Sequence, residues 1–325
     1  MRVLVTGGAG YIGSHVVQAL EAAGHAVVVL DRRPPRAGLF GGSVESVVGD
    51  IRDADALDAL LAGSHWDGVI HLAALKSVAA SVADPGSYFD VNVTGSLRLL
   101  EAVARAGVGA FVFSSSCAAY GTPASVPIRE DAELHPENPY GESKVLTERM
   151  LPWFEAARGI RSMSLRYFNA AGAALDGSNG EDWREAVNLL PVVIESALGR
   201  RGPVEVFGSD YSTPDGTAIR DYIHVVDLAD AHISALEALA GGAASDIVNL
   251  GTGRGASVLE IIDSVGRAAG VEVPYRLAER RPGDPAAVWA DADHARQILG
   301  WSARFGLDEI VESALRWHRA GLLGA

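Results

Sequence analysis

The sequence predicts an α/β fold, a doubly wound parallel Rossmann sheet followed by a smaller C-terminal α/β domain, and three observations carry that prediction. Short β-branched runs alternate with longer helical patterns along the first half of the chain. A glycine loop joins the first of those runs to the first helix. After about Ala170 the alternation loosens into Gly- and Ser-rich turns at Gly172 to Gly180, Gly208 to Gly216 and Gly241 to Ser245. The expected division is residues 1–170 for the Rossmann domain and 171–325 for the second, with some later segments returning to the first.

Taken in order, residues 3–5, 26–30, 68–71, 110–113 and 161–166 read as strands. Asp84-Pro85 supplies an N-cap and a proline at the first helical position for a helix running to Ala104. In the second half Ser257 and Glu260 form a capping box ahead of an apolar helical stretch, and further helices are expected from His294 and from Leu307.

Composition narrows the function classes. With 325 residues and 48% hydrophobic content the chain can bury a large core. No apolar run approaches the ~20 residues that cross a bilayer, and the first residues run straight into a glycine turn in place of a signal peptide, so a cytoplasmic protein is expected. The net charge of −14 repels a phosphate backbone, which argues against nucleic acid as a partner. Cys117 is the single cysteine, so neither an internal disulfide nor a thiolate metal cage is available, and no metal site is expected. Arg32-Arg33, Arg200-Arg201 and Arg280-Arg281 are local basic spots, Arg200 and Arg201 reading as ordinary solvated surface. His71 and His224 lie in apolar strand-like runs and read as satisfied core histidines.

Gly7, Gly10 and Gly13 stand at the spacing and in the strand-loop-helix context of a dinucleotide loop. Glycines allow positive φ and close backbone approach, while the new helix from Tyr11 turns free amides and its positive dipole end toward a pyrophosphate. Asp31 lies 18 residues beyond Gly13 (31 − 13), where a carboxylate accepts from ribose hydroxyls and repels a 2′-phosphate. NAD is the expected cofactor, with Arg32 and Arg33 keeping NADP as the minor alternative.

Tyr140 and Lys144 are four residues apart and share one helical face, downstream of a fifth strand that ends in Ser114-Ser115-Ser116. A tyrosine acting as a base near neutrality needs its pKa of about 10 lowered by about 3 units, roughly 4 kcal/mol. An ammonium at ~5 Å in an effective dielectric of ~20 supplies about 3 kcal/mol. Lys144 is therefore expected nearly to suffice, with the positive nicotinamide ring adding the remainder. Ser116 is expected to hydrogen-bond the reacting hydroxyl. The three residues are the expected catalytic set.

On these residues, and on the runs Thr6 to His15, Gly49-Asp50-Ile51-Arg52, Asn138-Pro139-Tyr140, Arg166-Tyr167-Phe168-Asn169 and Arg220 to Val225, the chain resembles the extended short-chain dehydrogenase/reductase family, specifically its NAD-dependent nucleotide-sugar 4-epimerases. The resemblance implies NAD contacts at Tyr11, Ile12, Asp31, Asp50, Ile51, Leu72, Ala73, Ala74, Lys76, Asn92 and Phe168, alongside Ser116, Tyr140 and Lys144. Asp50 would accept from the adenine amino group, Lys76 approach cofactor oxygens and Asn92 brace the loop around them. For a UDP-sugar substrate it implies Lys76, Ser116, Tyr140, Asn169, Asn188, Leu189, Val206, Phe207, Arg220, Arg281, Asp284 and Val288. Two arginines suit a diphosphate, Phe207 can flank a uracil, and Asp284 can accept ribose hydroxyls. Arg220 and Arg281 have an alternative reading as structural ion-pair partners. A homodimer packed through the helices after Asp84 and Asn138 is also implied.

The implied activity is the interconversion of UDP-galactose and UDP-glucose through a 4-keto intermediate, with transient reduction of bound NAD. The chain departs from the family at Ala74, often glycine, in the Arg32-Arg33-Pro34-Pro35 loop, and at Val288, where a tyrosine narrows the sugar pocket of some members. Val288 predicts tolerance for N-acetylated hexosamines. A 4,6-dehydratase is the nearest rival, but it needs an additional acid and base, and Cys117 and Ala118 follow Ser116 where related dehydratases carry carboxylates. A non-catalytic NAD-sensing protein is the rival from another class; it has no use for the Ser116, Tyr140 and Lys144 set.

Overall fold

Valine and leucine fill the first strand, β1 (Arg2–Thr6), which is buried from Val3 onward as a central strand of a parallel sheet must be. The computed structural model describes residues 1–184, 186, 188–281 and 283–321. After β1 come α1 (Tyr11–Ala22), β2 (Ala26–Asp31), β3 (Glu45–Val48), α2 (Ala54–Leu61), β4 (Gly68–His71), α3 (Val78–Ala83), α4 (Pro85–Tyr88), α5 (Gly95–Arg105), β5 (Ala110–Ser116), α6 (Pro139–Arg158) and β6 (Arg161–Tyr167). The later half adds β7 (Asn169–Ala171), α7 (Leu189–Ala197), β8 (Val204–Phe207), β9 (Ile219–Arg220), β10 (Tyr222–His224), α8 (Val225–Ala240), β11 (Asp246–Leu250), β12 (Ala256–Ser257), α9 (Val258–Ala269), β13 (Tyr275–Ala278), β14 (Ala287–Val288), α10 (Asp293–Leu299) and α11 (Leu307–Ala320).

Seven strands form one parallel sheet in the order β11-β6-β5-β4-β1-β2-β3. The five strands expected from the sequence are all present, and two are additional. β3 is a mostly exposed edge strand without clear alternation, and β11 follows the turn-rich region yet pairs with β6 over residues 246–250. Strand order reverses between β1 and β4, and in such sheets the crevice beyond the carboxyl ends of the strands at that point receives the ligand. One face of the sheet is closed by α1 and α8 around Val16, Leu20, Leu228 and Leu236. The other is closed by α2, α5 and α6 around Leu57, Leu99, Val103 and Leu151. A separate cluster around Val193, Val206, Ile261 and Val311 unites α7, β8, α9 and α11 above the carboxyl ends.

The helix expected from Asp84 to Ala104 is not uniform. Asp84 caps it through the Ser87 amide, but a π-helical turn at Phe89–Thr94 separates α4 from α5. Hydroxyls take up the carbonyl at Asn92, which accepts from Ser96 Oγ at 2.5 Å and Thr147 Oγ1 at 3.2 Å. The capping box of Ser257 and Glu260 and the helices near His294 and Leu307 form as the sequence predicts.

Candidate active site

The loop between β1 and α1 is shaped by two glycines that no other residue can replace. Gly7 has φ +74°, and a Cβ there would lie 2.6 Å from the Ala73 amide nitrogen. At Gly13 a Cβ would lie 2.1 Å from the Gly7 carbonyl oxygen. Gly10 caps α1 with no side chain of its own, so the helix start is left to a ligand. Asp31 ends β2 facing the loop, with Oδ2 accepting from Ala9 N and Oδ1 from Arg33 N, each at 3.1 Å. These features fit a dinucleotide: a glycine cradle beside a helix N-terminus, with a carboxylate at the end of the second strand.

Around that loop the structure distributes the other expected cofactor contacts. Ile51 is buried, with Leu72, Ala73 and Ala74 partly exposed beyond β4. Asn92 braces the β4 loop as expected, Oδ1 accepting from Leu75 N at 2.8 Å and Nδ2 donating to Leu75 O and to Ser143 Oγ, both at 3.0 Å. Asp50 is clasped by Arg52 through Nε at 3.0 Å and Nη2 at 2.7 Å, and this guanidinium holds its carboxyl below the usual range. Lys76 Nζ pairs with Glu181 Oε1 at 3.0 Å, and Tyr11 Oη donates to Gly172 O at 2.6 Å. The 172–181 segment therefore lies against both sides of the dinucleotide crevice.

Asn138 caps α6 by accepting from Gly141 N at 2.9 Å, and Pro139 occupies the first helical position, so Tyr140 and Lys144 project from the first two turns toward the end of β5. Ser116, Tyr140 and Lys144 are brought together and nearly buried. The Ser116 side chain faces that of Tyr140 and favours its ionised form. Lys144 Nζ donates to Ser114 O at 2.8 Å and lies 5.7 Å from the centre of the Tyr140 ring.

The electrostatics correct one expectation. Burial pushes the Tyr140 phenol up to about 12, and burial brings the Lys144 ammonium down to about 8. A solvated tyrosine would instead begin at about 10. From about 12, ionisation near pH 7 requires roughly 7 kcal/mol, and the ~3 kcal/mol of one ammonium leaves more than half of it uncovered.

The second half presents a cavity of about 550 Å³ beside the same strand ends, within the range of small-molecule sites. Asn169 on β7, Asn188 and Leu189 at the start of α7, Phe207 ending β8, Arg220 on β9, Arg281 and Asp284 all line it. Arg220 forms an ion pair with Asp284 and donates from Nη1 to Ile219 O at 2.7 Å, so the ion-pair alternative and the cavity-lining reading hold together for this residue. The Arg281 guanidinium stands 3.9 Å from the Phe207 ring centre, covering one face of the ring expected to flank a base.

Three of the expected contacts are buried in apolar clusters. Val206 is fully buried in the core of the second half, while Val204, Glu205 and Phe207 of the same strand line the cavity. Val288 and Phe168 are buried together with Tyr120, Ile128 and Ala290, beside β9 in register with Arg220.

Arg201 is exposed but lines the cavity, and Arg200 reaches His318 O at 2.9 Å, so neither is plain solvated surface. Tyr222, Val258 and Arg276 line the cavity without having been singled out. Tyr222 sits inside the Arg220 to Val225 run, whereas nothing local marks Val258 or Arg276. His71, between Thr6 Oγ1 at 2.7 Å and Ser96 Oγ at 2.8 Å, and His224, 3.0 Å from Ser313 Oγ, are satisfied core histidines as expected. Among the described residues no cluster of metal-ligating side chains occurs, and no helix is long and apolar enough to cross a membrane.

This architecture is shared with known proteins. The UDP-glucose 4-epimerase of Azospirillum brasilense is 50% identical over 321 residues, covering 98% of this chain and 92% of that protein. That of Bacillus subtilis (strain 168) is 43% identical, covering 100% and 98%. Among solved structures, the UDP-glucose 4-epimerase from Stenotrophomonas maltophila with bound NAD and formylated UDP-arabinopyranose matches with a TM-score of 0.95 at 42% identity, covering 99% and 98%. The Bifidobacterium longum enzyme in complex with NAD+ and UDP matches at 0.92 and 40%, covering 98% of each chain. A family model matches residues 3–251, and with a glycine cradle, a buried Ser-Tyr-Lys set and relatives of this extent, the chain belongs to the NAD dependent epimerase/dehydratase family.

Proposed function

We propose that the chain is a UDP-hexose 4-epimerase that interconverts UDP-galactose and UDP-glucose through a 4-keto sugar on a resident NAD. The observation that carries this reading is the buried Ser116, Tyr140 and Lys144 set at the carboxyl end of β5, in the same sheet whose β1 leads into the glycine cradle, together with the cavity lined by Phe207, Arg220 and Asp284 in the second half. Relatives of 43–50% identity over nearly the whole chain carry the same activity in their names.

In this reading Tyr140 removes the proton of the sugar 4-hydroxyl, Ser116 hydrogen-bonds the same oxygen, and Lys144, protonated below about pH 8, stabilises the phenolate. The glycine cradle of Gly7, Gly10 and Gly13 with Asp31 would hold NAD, which would supply a hydride acceptor and donor at the sugar C4 and a positive ring to help Lys144 offset the Tyr140 ionisation cost. Arg220 and Arg281 would hold the diphosphate, with the Arg220–Asp284 pair opening to admit it. Phe207 would flank the base once Arg281 leaves its ring. The resting Arg220–Asp284 ion pair keeps the Arg220 charge compensated between turnovers.

The experiment is to mix purified protein with UDP-galactose, without added cofactor, and follow UDP-glucose formation. Turnover supports a retained NAD, and none in the presence or absence of NAD defeats the reading. A 4-keto-6-deoxy product would instead indicate a dehydratase. Valine at 288 in place of a tyrosine supports acceptance of UDP-N-acetylgalactosamine as a second substrate, tested in the same assay. The protein is proposed to work in the cytoplasm as a homodimer through α4 to α6, where Phe89 and Trp153 are solvent-facing at 36% and 76% exposure. Sedimentation showing only monomer would refute that assembly.

A further inference from the structure

The helical face that carries Tyr140 and Lys144 continues one turn further to Glu148, a buried carboxylate that the mechanism above does not use. Glu148 Oε1 accepts from Ser115 Oγ at 2.5 Å and from Arg166 Nε at 2.9 Å, and Oε2 accepts from Arg166 Nη2 at 2.6 Å. Ser115 stands between Ser114, whose carbonyl receives Lys144 Nζ, and Ser116, whose side chain faces Tyr140. Arg166 is itself tied to Tyr120 Oη at 2.9 Å, which donates to Asn249 on β11 at 2.7 Å. The carboxylate thus locks α6 to the end of β5 at the one residue flanked by both active-site contacts, and it places a negative charge one helical turn from the Lys144 ammonium.

We propose that Glu148 is a positioning residue for the epimerase reaction: through Ser115 and its charge it holds the end of β5 and the Lys144 ammonium where Tyr140 needs them. The proposal rests on the function proposed above. An ordinary buried ion pair would serve the fold from any helix turn, and replacing both partners by well-packed apolar residues would serve it about as well. Here the acceptor is shared with the strand that carries the site. The other groups around Lys144 do not take its place: His71 of β4 is neutral, Phe113 of β5 offers a ring at 5.0 Å, burial raises the phenol of Tyr167 on β6, Cys117 beyond β5 has its thiol pushed up to about 12, and Arg166 is a further cation. Glu148 is the anion that favours the protonated lysine.

The test separates positioning from folding. Glu148→Gln leaves Arg166 buried without its partner, so the double variant Glu148→Gln/Arg166→Met, which removes both charges, is made beside it. The sequence contains two lysines, Lys76 and Lys144, so protein labelled with ¹³C at the lysine ε-carbon gives two titrating signals, and the Lys144 titration is read directly. In whichever of these variants folds, the expected result is kcat for UDP-galactose lowered tenfold or more, KM within twofold, and the alkaline limb of kcat moved about one pH unit downward together with the Lys144 signal. A folded variant with wild-type kcat, alkaline limb and Lys144 titration overturns the proposal. If neither folds, Ser115→Ala decides, since it severs only the link to β5: a threefold or larger loss of kcat at unchanged KM supports positioning, and wild-type kcat overturns it. Should the wild-type protein turn over no UDP-hexose, the proposed function fails while the Lys144 titration still judges Glu148.

Discussion

The dinucleotide crevice and the proposed substrate cavity meet at the ends of the same strands but are built from different material. The crevice is made of backbone: Gly7 and Gly13 leave no room for a Cβ, and the first turn of α1 is uncapped by any side chain. The cavity is made of side chains contributed by elements up to 115 residues apart (284 − 169), several already engaged with one another, as in the Arg220–Asp284 pair and Arg281 over Phe207. A backbone site is fixed when the chain folds, whereas a side-chain site must exchange internal partners for the ligand. Changes in the first are expected to appear in kcat and in retained cofactor, and changes in the second in KM.

The largest effect is expected at the boundary between them. Tyr140→Phe removes the proton acceptor while keeping the ring, and kcat should fall about 10³-fold with UDP-galactose affinity preserved; a variant within tenfold of wild type breaks the mechanism. Next comes Gly7→Ala, which forces a Cβ against Ala73 N at 2.6 Å in a backbone at φ +74°. Strain of about 3 kcal/mol there corresponds to roughly 100-fold weaker NAD retention, measured as cofactor released on gel filtration. If the protein keeps its NAD, the crevice is softer than its geometry implies.

Acid should also distinguish the parts of the molecule. Burial lowers His71 to about 3 and His15, His224 and His232 to about 4. In the unfolded chain each takes its proton near 6.5, so the unfolded state binds more protons between pH 6.5 and 4. Stability is therefore complete above about 6.5 and lost as pH falls toward 4, by about 2 kcal/mol per histidine at pH 5. All four touch the main sheet or the helices on it, none lining the substrate cavity. Urea midpoints measured from pH 7.5 to 5 should drop steeply, and His232→Gln should flatten the slope; a flat wild-type profile contradicts the burial of these rings as neutral groups.

The contrast between backbone and side-chain construction also decides what could be read from sequence. The crevice needs consecutive residues, so Gly7 to Gly13 and Asp31 announced it, as the four-residue spacing announced Tyr140 and Lys144. Five strands were visible through burial on both faces, while β3 at an exposed edge and β11 beyond the turn-rich stretch had no such pattern. In the cavity, Val258 and Arg276 are neighbours of Phe207 only because α9 and β13 return to it. The packing of Val206 into the core of the second half likewise depends on elements far from it in sequence. Tyr140 shows the same limit in energy: spacing identifies its lysine, but the burial that pushes the phenol up to about 12 belongs to the packed state.

Within the cavity, Arg220→Ala should act through KM. It removes a guanidinium that lines the site and leaves Asp284 without its ion-pair partner, and a loss of about 2 kcal/mol raises KM roughly 30-fold with little change in kcat. The smallest change, Arg281→Lys, keeps the charge and removes the planar fork. Its guanidinium lies 3.9 Å from the Phe207 ring centre, a contact worth about 1 kcal/mol, and a lysine keeps part of it. If Arg281 must leave the ring for a base to stack there, the weaker resting contact partly offsets the poorer grip on a diphosphate, and KM should rise only about threefold. A tenfold or larger rise would mean that the resting stack plays no part in binding, and that the fork alone sets the affinity.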